Sequence, residues 1–197
     1  MFSKRSLTLV LGVLVLAALA TPMYAQDADW EEVVSSWPET AMNTAATIAG
    51  KYGAPDLVSA GVLMWHQPGP YEWIKVHGTE VEHNFPVPHK DVLDIAVAYR
   101  VPVPMYTALA EFDGSAVPMR TRGLLVASCF MEELDILILN LAHDVATSEK
   151  TPAEARMAFG MIATGMMSGE EHPYTAALQF EVEPLSSTRD PDEPLSK

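Results

Sequence analysis

The spacing of apolar residues changes along the chain, and each change predicts a different element. Ser36-Trp37-Pro38-Glu39 has the form of a capping box with a proline in the first turn. Met42, Ala45, Ile48, Ala49 and Tyr52 then recur at helical spacing until Gly53 and Pro55, which predicts a helix over 37–52. Two strand-like runs follow, 61–67 and 71–78, separated by Pro68-Gly69-Pro70, with Trp73 and Lys75 alternating against Ile74 and Val76. This is the pattern of a hairpin with a proline-stiffened turn. His83 to His89 contains two prolines and is expected to be a structured loop. It leads into a predicted helix near 91–99, where Val92, Ile95, Ala96 and Tyr99 share a face.

A short helix is expected over 105–111 before the Asp113-Gly114 turn, and a strand over 122–130. Between Met131 and Val145 the stripe Leu134, Leu137, Ile138, Leu141 and Val145 is thickened by Ile136 and Leu139, so that little polar face remains. Such a helix belongs at the centre of the fold. Thr151-Pro152-Ala153-Glu154 is a second capping box; its helix should turn Ala155, Ala158, Ile162 and Met166 to the core and end near Ser168-Gly169. A last strand is expected over 175–182. The sum is one α+β domain over 36–183, a small antiparallel sheet packed against about four to five helices. An acidic linker, 26–35, precedes it, and a tail rich in Pro, Ser and Asp, 184–197, is expected to be disordered.

The N-terminus changes the picture of where this domain resides. Lys4 and Arg5 precede an uncharged run from Leu7 to Ala20, shorter than the about 20 apolar residues of a membrane span. Residues 1–25 therefore read as a removable signal peptide cleaved after Ala25, with cleavage after Ala20 as the alternative. No cysteine follows either position to carry a lipid, so no stable membrane anchor is expected after cleavage. Net charge is −14 and becomes −16 once Lys4 and Arg5 are removed. Such a surface repels phosphate backbones and anionic lipid, which argues against nucleic-acid and membrane-surface partners. Cys129 is the single cysteine, in the apolar run 124–130, where a thiol ordinarily behaves as a small hydrophobe.

Candidate chemistry centres on four histidines, His66, His77, His83 and His89, inside 24 residues. The predicted hairpin would place His66 and His77 on adjacent strands, and the 83–89 loop would bring its two histidines together. Imidazole suits zinc or copper, and Asn84 and Asp91 are available to orient such ligands. The chain has neither HExxH nor CxxC spacing, and it lacks a G-x-S-x-G elbow and a glycine-rich phosphate loop. Met157, Met161, Met166 and Met167 fall on one predicted helix, where thioethers either hold copper(I) or, more simply, fill the core. Glu132, Glu133 and Asp135 suit the positive end of a helix dipole. Arg120 and Arg122, with Asp113, flank a turn at which an anion or a carboxylate could dock.

Lys51-Tyr52-Gly53-Ala54-Pro55-Asp56, Trp65-His66 with Gly69-Pro70, His83-Asn84-Phe85-Pro86 with Pro88-His89 and Asp91, and Asp113-Gly114 together resemble an uncharacterised family of exported bacterial proteins. The resemblance implies a bacterial periplasmic or secreted protein and carries no activity with it. Residues 37–78 also resemble SmpA-type small outer-membrane assembly lipoproteins, from which this chain differs in lacking a lipobox cysteine and in continuing far past the hairpin. The leading expectation is a non-enzymatic domain that binds a protein or small-molecule ligand through Trp65, His66, Tyr71, Trp73 and Phe85. The alternative is a histidine-ligated metalloprotein, a metal-dependent hydrolase among the choices.

Overall fold

The computed structural model describes residues 29–195, so the signal-peptide expectation for 1–25 lies outside the described residues. In chain order the elements are α1 (Trp30–Val34), α2 (Glu39–Tyr52), β1 (Leu57–Val58), β2 (Val62–His66), β3 (Trp73–His83), β4 (His89–Ala98), α3 (Tyr106–Phe112), β5 (Ala116–Met119), β6 (Leu124–Cys129), α4 (Glu132–Ala146), α5 (Pro152–Met167), α6 (Pro173–Ala176) and α7 (Leu185–Thr188). The strands form one antiparallel sheet in the order β1-β2-β3-β4-β6-β5. This is the expected α+β architecture; of the seven helices described, α1, α6 and α7 are only four or five residues long.

One face of the sheet carries the main core. The alternation read from the sequence holds in β3, where Ile74 and Val76 are fully buried while Trp73 and Lys75 point to the other face. α2 packs over β3 and β4, and α4 packs over β6 and β4. Thirteen of the fifteen residues of α4 are buried, because α3, α5 and α6 pack against the sides it does not turn to the sheet. α5 begins with the predicted capping box: Glu154 N–H donates to Thr151 Oγ1, and Thr151 N–H donates to Glu154 Oε2. Its helix buries Ala155, Phe159 and Ala163, with Ala158, Ile162 and Met166 half-buried beside them. Met157, Met161 and Met167, by contrast, are 62%, 70% and 70% exposed, so core filling accounts only for Met166.

Four expectations are corrected. Residues 91–99 are not a helix: 91–98 belong to β4, a central strand between β3 and β6. Covered on both faces, it shows no polar alternation, and a continuous apolar run satisfies helical spacing by coincidence; the β-branched Val92, Ile95 and Val97 are the residues that favour the strand. Residues 175–182 do not form a strand. Their backbone groups are met instead by Asn140 of α4, whose Nδ2 donates to Tyr174 O and Ala177 O while its Oδ1 accepts from Gln179 N–H. Nor is the C-terminal segment without structure: Thr188 is buried and donates to Gly123 O, and Arg100 donates to three carbonyls, of Ser187, Thr188 and Arg189. Gly123 has φ of +67°, and a Cβ there would lie 2.5 Å from the Thr188 backbone, so only glycine lets this segment dock. The stretch expected to be an acidic linker likewise contains α1, with Val34 in the core.

Candidate metal centre

The β3–β4 hairpin builds the site. β3 continues beyond its predicted end to His83, and the chain returns at His89, so the register sets these two histidines directly opposite each other. Their ring centroids are 4.9 Å apart. Asp91 lies two residues further along β4 and therefore on the same face as His89. One donor atom from each of His83, His89 and Asp91 can be chosen so that all lie within 4.8 Å of one another. The 84–88 loop closes one end by placing Phe85 on Phe159 of α5, at 5.4 Å between centroids, under the Arg156 guanidinium.

Asp91 presents one oxygen to each imidazole. Its Oδ1 is 3.0 Å from His89 Nε2, and its Oδ2 is 3.3 Å from His83 Nδ1. Oδ2 also accepts from Ser115 Oγ at 3.0 Å, whereas Oδ1 has no well-aligned donor despite the nearby imidazole. The other ring nitrogen of His89, Nδ1, lies 2.8 Å from Val87 O, a contact that in the neutral ring has Nδ1–H donating to the carbonyl. In the protonated ring Nε2–H points to Asp91 as well; in the neutral ring with Nδ1 protonated, Nε2 is the nitrogen free to bind a metal. Contact with the Asp91 carboxylate raises His89 above the ordinary imidazole value, against the opposing pull of burial.

Two further carboxylates belong to the surroundings of this cluster. Asp113, at the turn before β5, is 1% exposed; its Oδ1 accepts from Ser115 N–H and stands 3.6 Å from His83 Nε2, and its Oδ2 has no partner. Asp135, in the first turn of α4, is fully buried and neither of its oxygens has a hydrogen-bond partner. Burial, and then the negative fields of Asp94, Asp91, Glu132 and Asp113, hold Asp135 well above the usual carboxylate range; burial likewise raises Asp113. A fully buried carboxylate without partners costs several kcal/mol unless it is protonated or meets a cation. Cys129 closes the inner side, its Sγ 3.7 Å from His89 Nε2.

The remaining candidates lie elsewhere. His66 and His77 do not face each other: His66 pairs with Trp73 and is exposed, whereas His77 pairs with Val62 and contacts Asp94 through Nε2 at 2.9 Å. Neither belongs to the cluster. Trp65 and Tyr71, expected on a recognition surface, are 2% and 5% exposed. Trp65 Nε1–H donates to Gly53 O, and Tyr71 O–H donates to Glu132, so both are fixed in the core. Trp73 is half-buried over Ala96, Leu124 and Val126 on the outer face of the sheet, with Lys75 over its ring. Arg120 pairs with Asp190 and Asp192 of the C-terminal segment and not with Asp113.

On the outer face, a cleft of about 350 Å³ is lined by His77, Asp94, Ser128, Ser115 and Asp91. Asp91 thus borders both the buried cluster and an open surface. Ser128 Oγ donates to Asp94 Oδ1 at 2.6 Å while His77 holds Oδ2, so the central acid of this group is fully engaged. No helix among the described residues is long and apolar enough to cross a membrane. Comparison of the chain with protein-family models, with curated proteins and with solved structures finds no match.

Proposed function

We propose that this is an exported, periplasmic or secreted protein whose central property is to bind one divalent transition-metal ion on His83, His89 and Asp91. The observation that carries the reading is the convergence of these donors, together with buried carboxylate oxygens of Asp113 and Asp135 that have no hydrogen-bond partner. Two imidazoles and a carboxylate form a borderline donor set, suited to zinc ahead of magnesium or calcium, which prefer all-oxygen sites. Asp113 and Asp135, raised by burial, are carboxyls that a cation would ionise, and the Val87 O contact favours the His89 tautomer with Nε2 free. The export half of the reading rests on residues 1–25.

The test is metal analysis of the mature protein purified without a histidine tag, with thermal melts before and after chelation. About one equivalent of a transition metal is expected, with a melting temperature that falls on chelation and is restored by zinc. Protein that folds without metal and shows no shift with added zinc or copper refutes the reading. A metal-dependent hydrolase is the second reading, favoured by the cleft through which Asp91 reaches the surface. A catalytic ion needs such an open coordination position. Zinc-dependent cleavage of activated ester or phosphoester substrates, lost in Asp91→Asn, is its test.

A further inference from the structure

Cys129 ends β6, paired in register with Leu93 of β4, so its side chain emerges on the inner face beside His89. The thiol is 1% exposed, which suits a small hydrophobe. Burial pushes the thiol well above its ordinary value, and only the backbone amides of Phe130 and Met131, at the entry to α4, act the other way. Asp135, with neither carboxylate oxygen partnered, is the carboxylate whose charge acts most strongly on the thiol. A fully buried acid without a hydrogen-bond partner is left uncompensated by a neutral thiol. A cation between the sulfur and the acid compensates it.

The spacing is also that of two ligands on one ion. With a zinc–sulfur bond of about 2.3 Å and a zinc–nitrogen bond of about 2.0 Å at a tetrahedral angle, sulfur and nitrogen are separated by about 3.5 Å. The observed distance from Cys129 Sγ to His89 Nε2 is 3.7 Å. We propose that Cys129 binds as a thiolate at the His89 corner of the centre and is the residue that selects a thiophilic ion, zinc or cobalt(II), over manganese or magnesium. This rests on the metal-binding reading above. On binding, the sulfur–metal bond forms as the S–H proton passes to solvent, so the ion enters with release of one proton from this residue.

Cobalt(II) titration of the untagged, metal-free wild-type protein tests the two readings separately, because thiolate ligation alone gives an intense sulfur-to-cobalt charge-transfer band in the near ultraviolet. The expected result is that band together with visible ligand-field bands, and its disappearance in Cys129→Ser with the ligand-field bands retained. Zinc affinity of that variant should fall by about tenfold or more. Ligand-field bands without charge transfer in the wild type overturn the role of Cys129 and leave the three-donor site standing. No cobalt binding overturns both. The wild-type spectrum decides the matter even if the variant does not fold.

Discussion

Glu132 and Asp135 stand one turn apart at the start of α4, both in its first turn and both buried, yet the protein treats them in opposite ways. Glu132 is satisfied from three sides: Tyr52 O–H and Tyr71 O–H donate to Oε1 at 2.6 and 2.9 Å, and Lys51 Nζ donates to Oε2 at 2.7 Å. The cost appears in the partners, since burial and then this carboxylate push both tyrosines well above the ordinary phenol value. Asp135 has none of this and is itself raised. A completed polar network is an anchor joining α2, the β2–β3 turn and α4. An uncompleted one a turn away leaves a buried acid for which the chain itself provides no partner.

The largest effect separates the two acids by stability. Glu132→Ala leaves two buried hydroxyls and a lysine without their acceptor and is expected to cost about 3 kcal/mol in chemical denaturation, with no change in the number of metal ions bound. Next, His83→Ala and His89→Ala should each lower zinc affinity by at least about a hundredfold in calorimetric titration. Both should leave the metal-free protein folded, since the rings lie at the end of the core. Asp135→Asn then sharpens the comparison by its sign. Without metal it should stabilise by about 1–2 kcal/mol, because it removes a carboxyl that burial disfavours; with metal, affinity should fall by about tenfold or more. Equal loss of stability in both forms would show that Asp135 is a structural acid like Glu132.

The smallest effect concerns Asp94, a satisfied acid on the outer face. Burial acts to raise it, but donation from His77 and Ser128 outweighs burial and holds it below the usual aspartate value. Its folded value is therefore lower than its unfolded one, so the stability it contributes is present above about pH 4 and is lost as the pH falls through the folded value. Asp94→Asn should remove about 1 kcal/mol at neutral pH and flatten that acid limb, as followed by denaturant midpoints against pH.

The helices with clear ends were legible from sequence: Thr151 to Glu154 forms its capping box, and Gly53 stops α2 with φ of +84°. The density of apolar residues between Met131 and Val145 correctly announced a buried helix, and the same density held an unused signal. Asp135 and Asn140 had no polar face to occupy, so each had to meet a specific partner inside the protein; Asn140 meets the 174–179 backbone, whereas Asp135 meets none. β4 was missed because a strand covered on both sides has no alternation to read. That error mattered for the site. Read as a loop followed by a helix, His89 and Asp91 have no fixed relation; read as a strand, they are two residues apart and share a face. Asp113, Ser115 and Cys129 reach the cluster through the non-local pairing of β6 with β4 and β5, which local spacing cannot reveal.

The most direct test is anomalous scattering at the zinc edge from crystals of the mature protein grown with zinc. A single strong peak is expected between His83, His89 and Asp91, about 2.0–2.2 Å from their donor atoms, with Asp135 turned to face it. Peaks confined to the exposed acids, with Asp91 and Asp135 unchanged and no density between the two histidines, would contradict the account.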